Sequence, residues 1–280
     1  MTIRMTLKVF MSVDLEGISS IVSGAQTGRD PGEYQKGRAL MVGDVNAAVE
    51  GVLGLGEAEI VVSDAHGGMT NIPPEDLHEA AVLVRGTPKP LTQMAGIGVG
   101  FDAAAFIGYH SRKGTLHGIL SHTISGGAIE SVVINGMEVG ETAINAAIAG
   151  YYGVPLVFVA GDAAVCAEAR ELVPNLRTAA VKEAVSRTAA KCLHPRRAGE
   201  LIRGGISEAL EHRGEVEPFT FKPPVEIEAR YTNARMADAV EFMPSAERID
   251  GKGIRFVQED YLKAFGALRA SIYIAGAVSG

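Results

Sequence analysis

The chain has 280 residues, 47% hydrophobic and 21% charged, a balance that supports one large core or two smaller ones and excludes wholesale disorder. Its 26 Lys and Arg stand against 33 Asp and Glu, a net charge of -7 with no basic run longer than Arg196-Arg197, which argues against a nucleic-acid or anionic-membrane partner. No apolar run has a bilayer-spanning length, Met1 to Phe10 shows no apolar stretch followed by a cleavage site, and Cys166 and Cys192 match neither a redox nor a zinc-ribbon spacing; a cytoplasmic protein with inert thiols is expected.

Leu7 to Val13 is an almost unbroken apolar run ending at Asp14, which predicts a strand buried on both faces. From Gly32 to Leu55 the apolar residues fall at helical spacing, with Leu40, Val42, Val45, Ala48 and Val49 on one stripe. Ala58 to Ser63 is a second buried strand, halted by Asp64-Ala65-His66-Gly67-Gly68, and shorter apolar runs follow at Ala81 to Val84 and Ala103 to Ile107, the latter ending in Gly108-Tyr109-His110. Asn135-Gly136 between β-branched segments predicts a hairpin over Ser131 to Val139, with a helix starting near Glu141. Val154 to Ala160 reads as another buried strand, and Gly161-Asp162 leads into a helix. The fold class predicted is α/β, an open and mostly parallel sheet flanked by helices over 1–194, with a smaller α+β domain over 195–280 that is free to re-enter the first.

Asp14 and Glu16 stand two apart at a strand end, where an extended chain points both carboxylates to one side, and adjacent carboxylates repel unless a cation lies between them. His66 and His110 each follow an apolar run, and ligands of open α/β sheets collect beyond the carboxyl ends of strands. Glu141 at a helix start reads first as compensation of the helix dipole, and neither it nor His122 is singled out by spacing. His78, His117, His194 and His212 read as surface residues.

Met11-Ser12-Val13-Asp14-Leu15-Glu16-Gly17, Ser63-Asp64-Ala65-His66, Gly108-Tyr109-His110, Ser121-His122, Ile134-Asn135-Gly136 and Val139-Gly140-Glu141 occur in this order, followed by Ala149-Gly150-Tyr151-Tyr152, Val159-Ala160-Gly161-Asp162 and Ala180-Val181-Lys182. In these segments the chain resembles the zinc D-aminopeptidases of the bacterial dipeptide-transport type. The resemblance implies that Asp14, Glu16, His66, His110 and Glu141 ligate two zinc ions and that His122 is the catalytic histidine. It also implies hydrolysis of N-terminal D-amino acids from short peptides or amides, and a ring-shaped homodecamer enclosing the active sites. The segments from His110 to His122 and from Thr123 to Asn135 depart from the family in length, which bears on the substrate pocket more than on the metals.

Imidazole and carboxylate suit zinc, and three carboxylates offset three of the four positive charges of a zinc pair; Asp14 or Glu16 is the expected bridge. Asp64 and Asn135 are candidates to hold the far side of the ligating histidines, although Asp64 reads equally as a turn residue. Two other readings share these residues: a zinc amidohydrolase for another small peptide or amide, and a non-catalytic zinc-binding assembly protein. The second is disfavoured because structural zinc sites are usually cysteine-rich.

Overall fold

The computed structural model describes residues 6–278; the part of the N-terminal reading that falls on 1–5 lies outside them. Strand β1 (Leu7–Val13) is followed by helix α1 (Pro31–Leu53), whose start is set by Asp30: its carboxylate accepts from the Gly32 and Glu33 amides, and Pro31 occupies a first-turn position that needs no donor. Next come β2 (Ala58–Asp64), β3 (Ala81–Val84) and β4 (Ala103–Tyr109), then the hairpin β5 (Ile129–Ile134) and β6 (Met137–Glu138). Helix α2 (Glu141–Tyr151), strand β7 (Leu156–Asp162) and helix α3 (Ala163–Leu172) lead to a second hairpin, β8 (Arg177–Ser186) and β9 (Ala189–Cys192). The remainder is α4 (Pro195–Glu211), β10 (Val225–Tyr231), α5 (Ala234–Val240), β11 (Glu247–Arg248), β12 (Gly253–Gln258) and α6 (Tyr261–Ala277).

The first sheet has the order β3-β2-β1-β4-β7-β8-β9, parallel except for β9, which returns antiparallel to β8. Every residue of β4 and β7 is buried, as is β1 from Val9 onward, so these strands need continuous apolar runs rather than alternation. The chain winds from β1 through β2 to β3 on one side and from β4 through β7 to β8 on the other. A doubly wound sheet of this kind opens a crevice where the winding reverses, here between the carboxyl ends of β1 and β4.

The second sheet, β11-β12-β10-β5-β6, is antiparallel and takes its strands from both sides of residue 195. Helix α4, although it lies beyond 195, packs on α1 and against β7 and β8 of the first sheet. The two sheets therefore do not divide at a single point in the sequence. Helix α2 is the link: it follows the β5–β6 hairpin directly and touches both β4 and α6. Among the described residues, no helix is long and apolar enough to cross a membrane.

Candidate metal centre

Strands β2, β1 and β4 are neighbours, so the residues just beyond them open onto one crevice. Asp14 and Glu16 leave β1, His66 leaves β2, His110 leaves β4, and Glu141 arrives from above as the first residue of α2. Four hydrogen bonds to backbone carbonyls hold the turn after β1 in place. The Gly17 amide donates to the Gly108 carbonyl at 2.7 Å, and the buried Lys182 ammonium of β8 donates to the carbonyls of Glu16, Ile18 and Ile21 at 2.6, 2.8 and 2.6 Å.

The five side chains form one connected cluster. His66 Nδ1 lies 2.9 Å from Glu16 Oε2 and 3.3 Å from Asp14 Oδ1. His110 Nε2 lies 3.6 Å from Asp14 Oδ2 and 3.4 Å from Glu141 Oε1. Asp14 thus turns one oxygen to each histidine. His122 joins on the far side: its ring stacks on that of His110 with centroids 4.1 Å apart, and its Nε2 is 3.7 Å from Glu141 Oε1. Ligand atoms of Asp14, Glu16 and His110, and separately of His110, His122 and Glu141, all lie within 4.8 Å of one another.

Each histidine is oriented by a backbone carbonyl on its outer nitrogen: Thr27 O at 2.9 Å from His66 Nε2, Ser111 O at 3.0 Å from His110 Nδ1 and Leu120 O at 3.0 Å from His122 Nδ1. A carbonyl only accepts, so the outer nitrogen carries the proton and the inner one of a neutral ring offers its lone pair to the crevice. His110 Nε2 is buried and makes no hydrogen bond among the described residues, which leaves the orphaned donor atom that a cation would satisfy.

Electrostatics show the same need. Burial, together with the charges of Glu16 and Glu141, pushes the Asp14 carboxyl up to about 7. Burial opposes charging of His110 and His66, yet neighbouring carboxylates, Glu141 first for His110 and Glu16 first for His66, raise His110 to about 10 and His66 well above its usual range. Protons on two imidazoles therefore balance the acids, and cations bound here would displace them. His122 moves the other way: burial and the charge of His110 lower its pKa.

A D-aminopeptidase family model matches residues 7–270. The chain belongs to the D-aminopeptidase family. A D-aminopeptidase from Bacillus subtilis (strain 168) is 36% identical over 263 residues, spanning 94% of this chain and 95% of that relative. The solved structure of DppA from Bacillus subtilis, described as a Zn-dependent D-aminopeptidase and a self-compartmentalizing protease, superimposes with a TM-score of 0.93 at 36% identity, covering 98% of this chain and 100% of that one.

Within this D-aminopeptidase-family fold, two expected helper residues sit differently from the sequence reading. Asn135 spends its side-chain amide elsewhere than on the histidines: it occupies the β5–β6 turn at φ 49° and clamps residues 222 and 226. Asp64 touches no imidazole either; its carboxylate accepts from the Asn71 and Ile72 amides and from Asn71 Nδ2, which also donates to the His66 carbonyl. It is a turn residue that steadies the His66 loop. His194 caps α4, His212 bonds the Glu208 carbonyl and His117 is exposed, so none of these enters the centre. Cys166 is buried and Cys192 exposed, both as free thiols.

Gln93 was not singled out by the sequence, yet its amide lies 2.5 Å from Glu141 Oε2 and 3.5 Å from Asp14 Oδ2. Gly17 matters because of close approach: a Cβ there would stand 1.8 Å from the Tyr109 carbonyl oxygen and 2.5 Å from the Gly108 carbonyl carbon. Gly17→Ala is expected to cost at least the roughly 1–3 kcal/mol typical of overpacking and to displace Glu16. Thermal denaturation and metal analysis should show a lower Tm together with reduced metal content.

Proposed function

We propose that this chain is a dinuclear zinc aminopeptidase that releases N-terminal D-amino acids, D-Ala-like in size, from short peptides or amides. The observation that carries the metal assignment is the unpartnered, buried Nε2 of His110, aimed between Asp14 and Glu141. In this reading Asp14, Glu16, His66, His110 and Glu141 would together hold the zinc ions, with Asp14 turning one oxygen toward each histidine. A carboxylate-rich and cysteine-free set suits catalytic zinc better than structural zinc. The D-amino-acid assignment rests on family membership.

When bound, the zinc pair supplies a water acidified to a pKa of about 7 and a Lewis acid for the scissile carbonyl. The chain's own part falls to His122. Its Nδ1–H is committed to the Leu120 carbonyl, and its lowered pKa keeps the ring neutral near pH 7, so Nε2 faces the crevice able to take a proton from water and return it to the leaving amine. Glu141 accepts from the Ile124 amide at 2.7 Å, which ties the loop carrying His122 to the acid beside it.

This reading includes assembly of several copies, a decamer by resemblance, and a cytoplasmic location. Exposed Leu116 and Val185 support the first: they flank the junction where the His122 loop meets the β8–β9 hairpin through Leu120 N to Arg187 O. The exposed free thiol of Cys192 suits a reducing compartment. Turnover of D-alanine amide against L-alanine amide by zinc-loaded protein tests the function.

A further inference from the structure

We infer that Gln93 is a positioning residue for the acidic side of this centre, its amide fixing which oxygens of Glu141 and Asp14 face a bound cation. The inference rests on the metal-centre reading above and extends it to a residue outside the ligand set. Gln93 sits in a single 3-10 turn, Thr92–Met94, which touches β1, β2 and α2. Its Nε2 donates to Glu141 Oε2 at 2.5 Å and reaches toward Asp14 Oδ2 at 3.5 Å. Its Oε1 accepts from Asn145 Nδ2 at 2.7 Å, so the amide is held with its donor end toward the carboxylates and its oxygen away from them.

The chain of bonds then returns to the same residue. Asn145 Nδ2 also donates to the Tyr109 hydroxyl at 2.9 Å, Tyr109 donates to Ser12 Oγ at 2.7 Å, and Ser12 donates to the Gln93 carbonyl at 3.0 Å. Ser12 belongs to β1, Tyr109 to β4 and Asn145 to α2, the elements that deliver Asp14, His110 and Glu141. Both ends of Gln93 are thus tied to the scaffold that carries the ligands. Thr92, a β-branched residue held at φ 47°, is an independent sign that the surroundings impose this turn, because L side chains rarely adopt that conformation.

With Oε2 of Glu141 engaged by Gln93 and Oε1 accepting from the Ile124 amide, the carboxylate plane is fixed and Oε1 is presented to His110 and His122. Partners that orient ligands in this way are typically worth about 10–100-fold in metal affinity. The test is Gln93→Leu in the full-length chain, with Asn145→Ala as a second variant that keeps the amide but frees its orientation. Zinc affinity is measured by competition with a chromophoric chelator, geometry by the visible spectrum of the Co(II)-substituted protein, and folding by the Tm of the metal-free form.

The expected result for Gln93→Leu is about 10–100-fold weaker binding of one metal, shifted Co(II) bands and an unchanged metal-free Tm. On D-alanine amide, kcat should fall while KM stays near the wild-type value. Wild-type affinity and spectrum in Gln93→Leu would overturn the inference, as would an affinity loss that only tracks a fall in metal-free Tm. Wild-type protein that binds neither Zn(II) nor Co(II) would instead overturn the metal-centre reading itself.

Discussion

His110→Ala is expected to lower bound zinc from two per chain to one and to reduce kcat/KM for a D-amino-acid amide by at least about 10³-fold, since metal-ion catalysis supplies several kcal/mol and each 1.36 kcal/mol is a factor of ten. The size of the effect follows from what this imidazole does. It is buried, its Nδ1 is fixed on the Ser111 carbonyl, and its Nε2 stands 3.6 Å from Asp14 Oδ2 and 3.4 Å from Glu141 Oε1. Without it, three buried carboxylates and one remaining pair of metal-facing groups around His66 must hold what is left. The stacked ring of His122 also loses its support. Metal analysis and turnover on the same sample check this, with a melting curve to show that the variant is folded. Two zincs retained with near-normal activity would remove His110 from the centre.

His122→Ala is expected to behave differently, keeping both metals while kcat falls by about 10²–10⁴-fold, the usual contribution of a general acid–base group. The sign of its pH dependence is fixed by its role. A proton acceptor must be neutral; in the metal-free protein burial and then the charge of His110 hold the His122 pKa below its ordinary value of 6.5, and cations in place of the His110 proton would act in the same direction. Wild-type activity should therefore be full at neutral pH and decline as the pH drops through that lowered pKa. In His122→Ala this acid limb should vanish or move. The geometry also raises a specific competing role, because His122 has a ligand atom within 4.8 Å of those of His110 and Glu141. Loss of a zinc from His122→Ala would make it a ligand rather than a proton carrier.

The parts of the molecule that could be read from sequence are those where a single physical requirement governs the residues. Buried parallel strands need unbroken apolar runs, so Leu7–Val13 coincides with its predicted bounds and β2 and β4 extend past theirs only to Asp64 and Tyr109; the edge strand Ala81–Val84, though not buried, also matches. The crevice at their carboxyl ends follows from that reading, and the convergence of Asp14, Glu16, His66 and His110 depends only on β2, β1 and β4 being neighbours. The β8–β9 hairpin escaped notice because Arg187-Thr188 is not a turn signal and the flanking alanines show no alternation. Gln93 had no local signature at all: its role comes from contacts with residues on β1 and α2 that are remote in sequence. Asn135 carried two readings, and the turn chemistry that made it a hairpin signal is the role it fills. The boundary at 195 fell where texture changes, whereas α4 follows its apolar face, Ala198, Ile202, Ile206, Ala209 and Leu210, back to the first sheet.

The most direct test of the account is hydrolysis of D-alanine amide and L-alanine amide by zinc-loaded protein, with metal content determined on the same preparation. The account predicts D-selective release of ammonia with two zincs per chain, abolished by a chelator and restored by zinc. Two zincs with turnover of neither amide would leave the centre standing but contradict the D-aminopeptidase assignment, and protein that binds no zinc would contradict both.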